Sequence, residues 1–158
     1  MVARSGSQWI GSSSLSWSDI EQDVKTLARK VRDTGIVFDK IVTVSRGGLI
    51  PARLLADQFN IKIILVDKYR IPKKTLFVDD IYDSGKTFRK IVSQVKSSNT
   101  FVYATLVARK KARYPKQLIY SRKTKGREYI VFPWEKNEQQ KSHSMYVKKN
   151  HHDKPRNN

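Results

Sequence analysis

Four short apolar runs recur along the chain: KIVTV (Lys40–Val44), IKIILV (Ile61–Val66), TLFV (Thr75–Val78) and TFVYATLV (Thr100–Val107). Runs of this length, rich in β-branched residues and lacking polar alternation, read as strands buried on both faces. The segments between them carry a different period. Ile20, Val24, Leu27, Ala28 and Val31 lie on one helical face. Ser18 and Glu21 form a capping box ahead of that face, and Thr34-Gly35 supplies a stop. Leu54, Leu55 and Phe59 mark a second helix from about Ile50, with Pro51 tolerated in its first turn. Phe88, Ile91, Val92 and Val95 mark a third, over Thr87–Ser97, and QLIY (Gln117–Tyr120) is a candidate fifth strand. Strands that alternate with helices predict an α/β fold, a mostly parallel central sheet flanked by helices. Such sheets bind ligands beyond the carboxyl ends of their strands. Two unusual stretches fall there: SRGG after the first strand and DDIYDSGKT after the third.

The chain of 158 residues suits one domain. Residues 1–15 are rich in Ser and Gly and are expected to be flexible; 16–135 form the domain; 136–158 read as a basic polar tail, expected to be disordered. His143, His151 and His152 sit in that tail and do not converge on a metal. No apolar run reaches the roughly 18 residues of a membrane span. With no cysteine, disulfides, thiolate catalysis and Cys-based zinc sites are excluded, and a cytoplasmic location is expected. The formal charge of +18 attracts polyanions. No helix-turn-helix, zinc-finger or aromatic RNA-binding signature accompanies it, so nucleic acid remains open as a partner without sequence specificity.

The stretch LFVDDIYDSGKT (Leu76–Thr87) carries the chemistry. Its Gly-Lys-Thr ending suggests a P-loop, but that motif needs a glycine five positions before Gly85, where Asp80 stands. The other reading is economical. Asp83, Ser84, Gly85, Lys86 and Thr87 lead into a helix, where backbone N–H groups, a permissive glycine and two hydroxyls can cradle a phosphate. Asp79 and Asp80 would repel phosphate and suit sugar hydroxyls or a hydrated magnesium ion. A ribose 5-phosphate satisfies both demands.

This stretch resembles the 5-phosphoribosyl 1-pyrophosphate (PRPP) motif of the type I phosphoribosyltransferases: an apolar strand, two acids, two variable residues, an acid, Ser or Thr, Gly, any residue, and Thr. VTVSRGGLIPARLLADQ (Val42–Gln58) resembles the first strand, pyrophosphate loop and first helix of the xanthine-guanine and hypoxanthine branch. The resemblance implies that Ser45, Arg46, Gly47 and Gly48 hold pyrophosphate through backbone amides, often around a non-proline cis peptide. REYIVFPWE (Arg127–Glu135) resembles the hood of the xanthine-guanine enzymes, which implies that Tyr129 stacks on the base and Ile130 offers main-chain contacts. Where those enzymes place a lysine against the purine 6-oxygen, this chain has Arg109, with Lys110 adjacent, and either could face the pocket. Only DKYRIPKK (Asp67–Lys74) stands where the family usually carries a long mobile lid.

The resemblance spans about Trp17–Glu135 and implies transfer of ribose 5-phosphate from PRPP to a nucleobase, expected to be a 6-oxopurine, with release of pyrophosphate, in purine salvage. Asp79 and Asp80 would serve the ribose diol and Mg2+; Asp83 would accept the base proton; residues 83–87 would hold the 5'-phosphate. A homo-oligomer is expected. The alternative is a non-catalytic PRPP- or nucleotide-binding regulatory protein of the same fold, with RNA as a further partner.

Overall fold

The computed structural model describes residues 11–68, 70–95 and 100–135. The tail at 136–158, with its histidines, and most of the N-terminal segment fall outside them. Two compact units emerge, Ser18–Arg127 and a second drawn from Met1–Trp17 and Glu128–Asn158.

The larger unit is built on a five-stranded, wholly parallel sheet of order β3-β2-β4-β5-β6. Its strands are β2 (Lys40–Thr43), β3 (Ile63–Val66), β4 (Thr75–Tyr82), β5 (Val102–Ala108) and β6 (Leu118–Lys123). Helix α2 (Leu49–Phe59) links β2 to β3, and α3 (Lys86–Val92) follows β4. The β4 and β5 strands are central, so their apolar runs have no solvent face, as the missing alternation predicts. Val42, Phe77 and Tyr103 stand side by side in register. They form one core with Phe88 and Ile91 of α3, and the rings of Phe77 and Tyr103 stack at 4.6 Å. Leu76 and Val78, one residue out of phase, are fully buried on the other face.

Helix α1 (Trp17–Arg32) buries the expected face: Ile20, Val24, Leu27, Ala28 and Val31. It begins at Trp17, so Ser18 lies inside its first turn instead of capping it. A polar link that periodicity does not reveal ties α1 to β6. Asp23 is buried on the apolar side of the helix, where it accepts from Ser121 Oγ at 2.6 Å and pairs with Arg122 Nε at 2.8 Å. Arg122→Ala would leave that carboxylate buried without its counter-charge, and a loss of about 1–3 kcal/mol is expected in chemical denaturation, against little change for Arg29→Ala on the exposed face.

Other boundaries moved. The third helix ends at Val92 instead of Ser97, and Val95 joins an isolated bridge to Ile71. The strand read as Gln117–Tyr120 runs to Lys123. The acid pair, expected just past a strand, lies within β4.

In the smaller unit, β1 (Ser12–Ser14) pairs in parallel with β7 (Tyr129–Val131). Part of the segment expected to be flexible is therefore a strand. Three serines carry no strand signature; the ladder forms because backbone groups pair whatever the side chains, with Leu15 N donating to Val131 O at 2.9 Å. Phe132 and Trp134 stack at 4.8 Å, and Trp17 meets Trp134 at 5.9 Å.

Candidate active site

Everything singled out near the strand ends of the larger unit gathers at the carboxyl ends of β2, β4 and β5. Asp79 and Asp80 are nearly buried, 7% and 9% exposed. Asp79 accepts from the Tyr103 hydroxyl at 3.0 Å and from the Asp80 amide at 2.9 Å; Asp80 accepts from the Ile81 amide at 2.7 Å. Burial pushes both carboxyls above their ordinary range, and the neighbouring Asp79 charge lifts Asp80 further, to about 7. Two close carboxylates held by hard oxygen and nitrogen donors suit a divalent cation or a diol, either of which relieves their repulsion. Among the described residues no cluster of three or more metal-ligating side chains exists, so a magnesium ion would draw its remaining ligands from substrate and water.

Beyond Tyr82 the chain turns sharply. Gly85 has φ +80°, and a Cβ there would meet the Tyr82 hydroxyl at 2.7 Å. Both the backbone and the space demand glycine. Lys86 N donates to Ser84 Oγ at 3.2 Å, and α3 starts at once. Residues 79–88 and Tyr103 line a cavity of about 210 Å³. Gly85→Ala is expected to cost about 1–3 kcal/mol and to weaken phosphate binding, read by thermal melts with and without a phosphate ligand.

The loop after β2 faces the acid pair. The Ser45–Arg46 peptide is cis, as the resemblance implies. A Cβ on Gly47 would collide with the Asp80 carboxylate, and one on Gly48 would lie 2.9 Å from Val78 O, so both glycines permit backbone to press against β4. Asp67, which the sequence reading passed over, anchors this loop. It accepts from Ser45 N at 2.8 Å and from Ser45 Oγ, and those bonds hold its carboxyl below the usual range. Its signal was a lone acid at a strand's carboxyl end; it adopts φ +52°, a conformation Asp tolerates. Tyr103, the support of Asp79, was passed over because a mid-strand tyrosine reads as core. A second cavity, about 330 Å³, opens beside Ser45 and Asp67 and is walled by Lys68, Lys86, Thr87 and Lys90.

Arg109 continues β5. Its amide donates to Tyr82 O at 2.7 Å and its Nε lies 3.3 Å from Asp83 Oδ1, with the side chain only 12% exposed. Lys110 is exposed, and its amide bonds Thr124 Oγ1 at 3.0 Å. Of the two candidates it is Arg109 that stands beside the phosphate turn. Tyr129 and Ile130 belong to the smaller unit, where Tyr129 is 37% exposed and Ile130 is buried.

A parallel sheet with an acid pair in its central strand, a glycine turn behind it and a glycine loop pressed against it defines the type I phosphoribosyltransferase fold. Comparison with known proteins narrows the branch. The chain is 24% identical over 140 residues to a xanthine-guanine phosphoribosyltransferase of Desulfotalea psychrophila, covering 77% of this chain and 84% of that protein. It is 26% identical over 139 residues to the enzyme of that name from Chromohalobacter salexigens, covering 77% and 82%. The solved purine phosphoribosyltransferase of Pyrococcus horikoshii superposes with a TM-score of 0.64 at 26% identity, over 80% of this chain and 95% of that one. No family model matches the sequence. Sequence and fold thus match the type I phosphoribosyltransferases in their purine branch. No helix among the described residues is long and apolar enough to cross a membrane.

Proposed function

We propose that the protein transfers ribose 5-phosphate from PRPP to a 6-oxopurine, yielding a nucleoside 5'-monophosphate and pyrophosphate, as a cytoplasmic purine-salvage enzyme. The observation that carries this reading is the opposition of the Asp79–Asp80 pair to the Gly47 backbone, with the Gly85 turn directly behind. Residues 83–87 would receive the 5'-phosphate on backbone N–H groups and the Ser84 and Thr87 hydroxyls. The amides of residues 45–48 and the Arg46 charge would receive the pyrophosphate. The bond from C1' to the pyrophosphate oxygen breaks as the bond from C1' to the base nitrogen forms, and positive charge develops on the ribose. The acid pair, held by Tyr103 and by backbone amides, favours that charge and orients the diol. Asp83, which is half exposed, would accept the proton that the base sheds. Magnesium, held by Asp79 and Asp80, would neutralise the leaving pyrophosphate.

A second reading rests on one observation. Only residues 67–74 join β3 to β4, too few for a lid that would exclude water. This favours a protein that binds PRPP or a nucleotide without turnover. A PRPP-dependent pyrophosphate-release assay across hypoxanthine, guanine, xanthine, adenine and uracil separates the two. Release with at least one purine is expected; PRPP binding with no release from any base would establish the second reading.

A further inference from the structure

Two tyrosines line the cavity at the Gly85 turn, Tyr82 and Tyr103. The Tyr103 hydroxyl is engaged, donating to Asp79 Oδ2 at 3.0 Å. The Tyr82 hydroxyl makes no hydrogen bond among the described residues, although Tyr82 is only 7% exposed. Its neighbours hold the ring in place. It meets Phe88 at 6.0 Å, Tyr103 at 6.4 Å and Tyr114 at 6.3 Å, each edge-on, and Lys111 Nζ lies over it at 5.1 Å. The Tyr82 carbonyl accepts from Arg109 N at 2.7 Å. This framework brings the hydroxyl against the turn, where a Cβ on Gly85 would lie 2.7 Å from it. Arg89 Nη1 reaches the same side of Gly85, 3.2 Å from that position, and donates to Ser84 O at 3.4 Å. Two hydrogen-bond donors thus meet at the turn, and the hydroxyl lacks an acceptor.

We propose that the Tyr82 hydroxyl is a phosphate ligand, donating to an oxygen of the 5'-phosphate that residues 83–87 receive. The inference rests on the transferase reading of that turn. It adds a side chain at a position the motif leaves variable, since Ile81 and Tyr82 stand between the acid pair and Asp83. A phenol suits the place. It donates a hydrogen bond and carries no charge to repel phosphate, whereas Asp79, Asp80 and Asp83 in the same lining are carboxylates. The Tyr103 hydroxyl is already committed to Asp79 and does not compete for the part. The Tyr82 ring is packed before any ligand arrives, so little side-chain freedom remains to be lost on binding. A hydrogen bond of this kind, to a charged group, contributes about tenfold or more in affinity.

The test is Tyr82→Phe, which deletes the oxygen and keeps the ring. Calorimetry on the full chain with ribose 5-phosphate and magnesium reads the turn without pyrophosphate or base. The unmodified protein should bind, and Tyr82→Phe should bind about tenfold more weakly. Tyr120→Phe makes the same deletion in a ring that packs on this core but does not line the cavity, and its affinity should stay within about twofold. The Tm of empty Tyr82→Phe should stay within about 2 °C of the unmodified protein, because no bond of the empty protein is removed. Phosphorus NMR supplies a second readout: the resonance of bound ribose 5-phosphate should move in Tyr82→Phe and not in Tyr120→Phe. Equal affinity of Tyr82→Phe and the unmodified protein would overturn the proposal and leave the turn as a phosphate site. Equal loss in Tyr120→Phe would reduce the effect to repacking of the aromatic cluster and overturn it as well. No binding of ribose 5-phosphate by the unmodified protein would remove the phosphate reading of the turn itself, and the proposal with it.

Discussion

Replacing both buried acids, Asp79→Asn with Asp80→Asn, is expected to abolish the ligand site and to stabilise the empty protein. Calorimetry should show magnesium-dependent PRPP affinity falling by about tenfold or more, because two hard anionic donors are lost where a cation and a diol belong. The stability gain follows from protonation. Asp80 titrates near 7 when folded, against an ordinary value of 3.8, because burial and the Asp79 charge oppose its ionisation. Between those values the folded state holds a proton that the unfolded chain has released, so the stability of the unmodified protein declines as pH rises through that window and levels off above it. Asparagine carries no such charge. The double variant should therefore match the unmodified protein near pH 4 and exceed it at pH 8 by about 1–3 kcal/mol, or several degrees in Tm. Asn Oδ1 still accepts from the amides that Asp79 and Asp80 engage, so the turn keeps its shape. A folded double variant with unchanged PRPP affinity would remove the acid pair from the site.

Base choice is expected to rest on Arg109. Its guanidinium is largely shielded and held beside Asp83, whereas Lys110 is exposed. A planar fork of donors can meet O6 and N7 of a 6-oxopurine together. Adenine keeps N7 but turns an amino donor toward the same group, and the mismatch should cost about 1–3 kcal/mol, a discrimination on the order of tenfold to a hundredfold. In competition kinetics with hypoxanthine and adenine, Arg109→Ala should erase most of that preference and Lys110→Ala should leave it intact. Equal use of the two bases by the unmodified protein would defeat the assignment. The reverse pattern in the two variants would move it to Lys110.

The sequence by itself determined the features whose causes are local. Apolar runs without alternation marked β2, β4 and β5, because interior parallel strands have no wet face. The run at Ile61–Val66 also forms a strand, β3, but at the sheet's edge, where Ile63 and Val66 are exposed instead of buried on both faces. Periodic Ile20, Val24, Leu27 and Val31 marked α1, and the order of acids, glycine and threonine in 79–87 marked the turn, since Gly85 alone among those residues meets its φ of +80° without strain. Only the tertiary structure decided which residues meet across the sheet. Asp67 reaches Ser45 because β3 lies beside β2; Tyr103 reaches Asp79 because β5 lies beside β4; Arg109 reaches Asp83 by that same adjacency. No residue's own neighbours in the chain encode those distances. The strand at Ser12–Ser14 is the extreme case, three polar residues whose only reason to be extended is the unpaired edge offered by Tyr129–Val131.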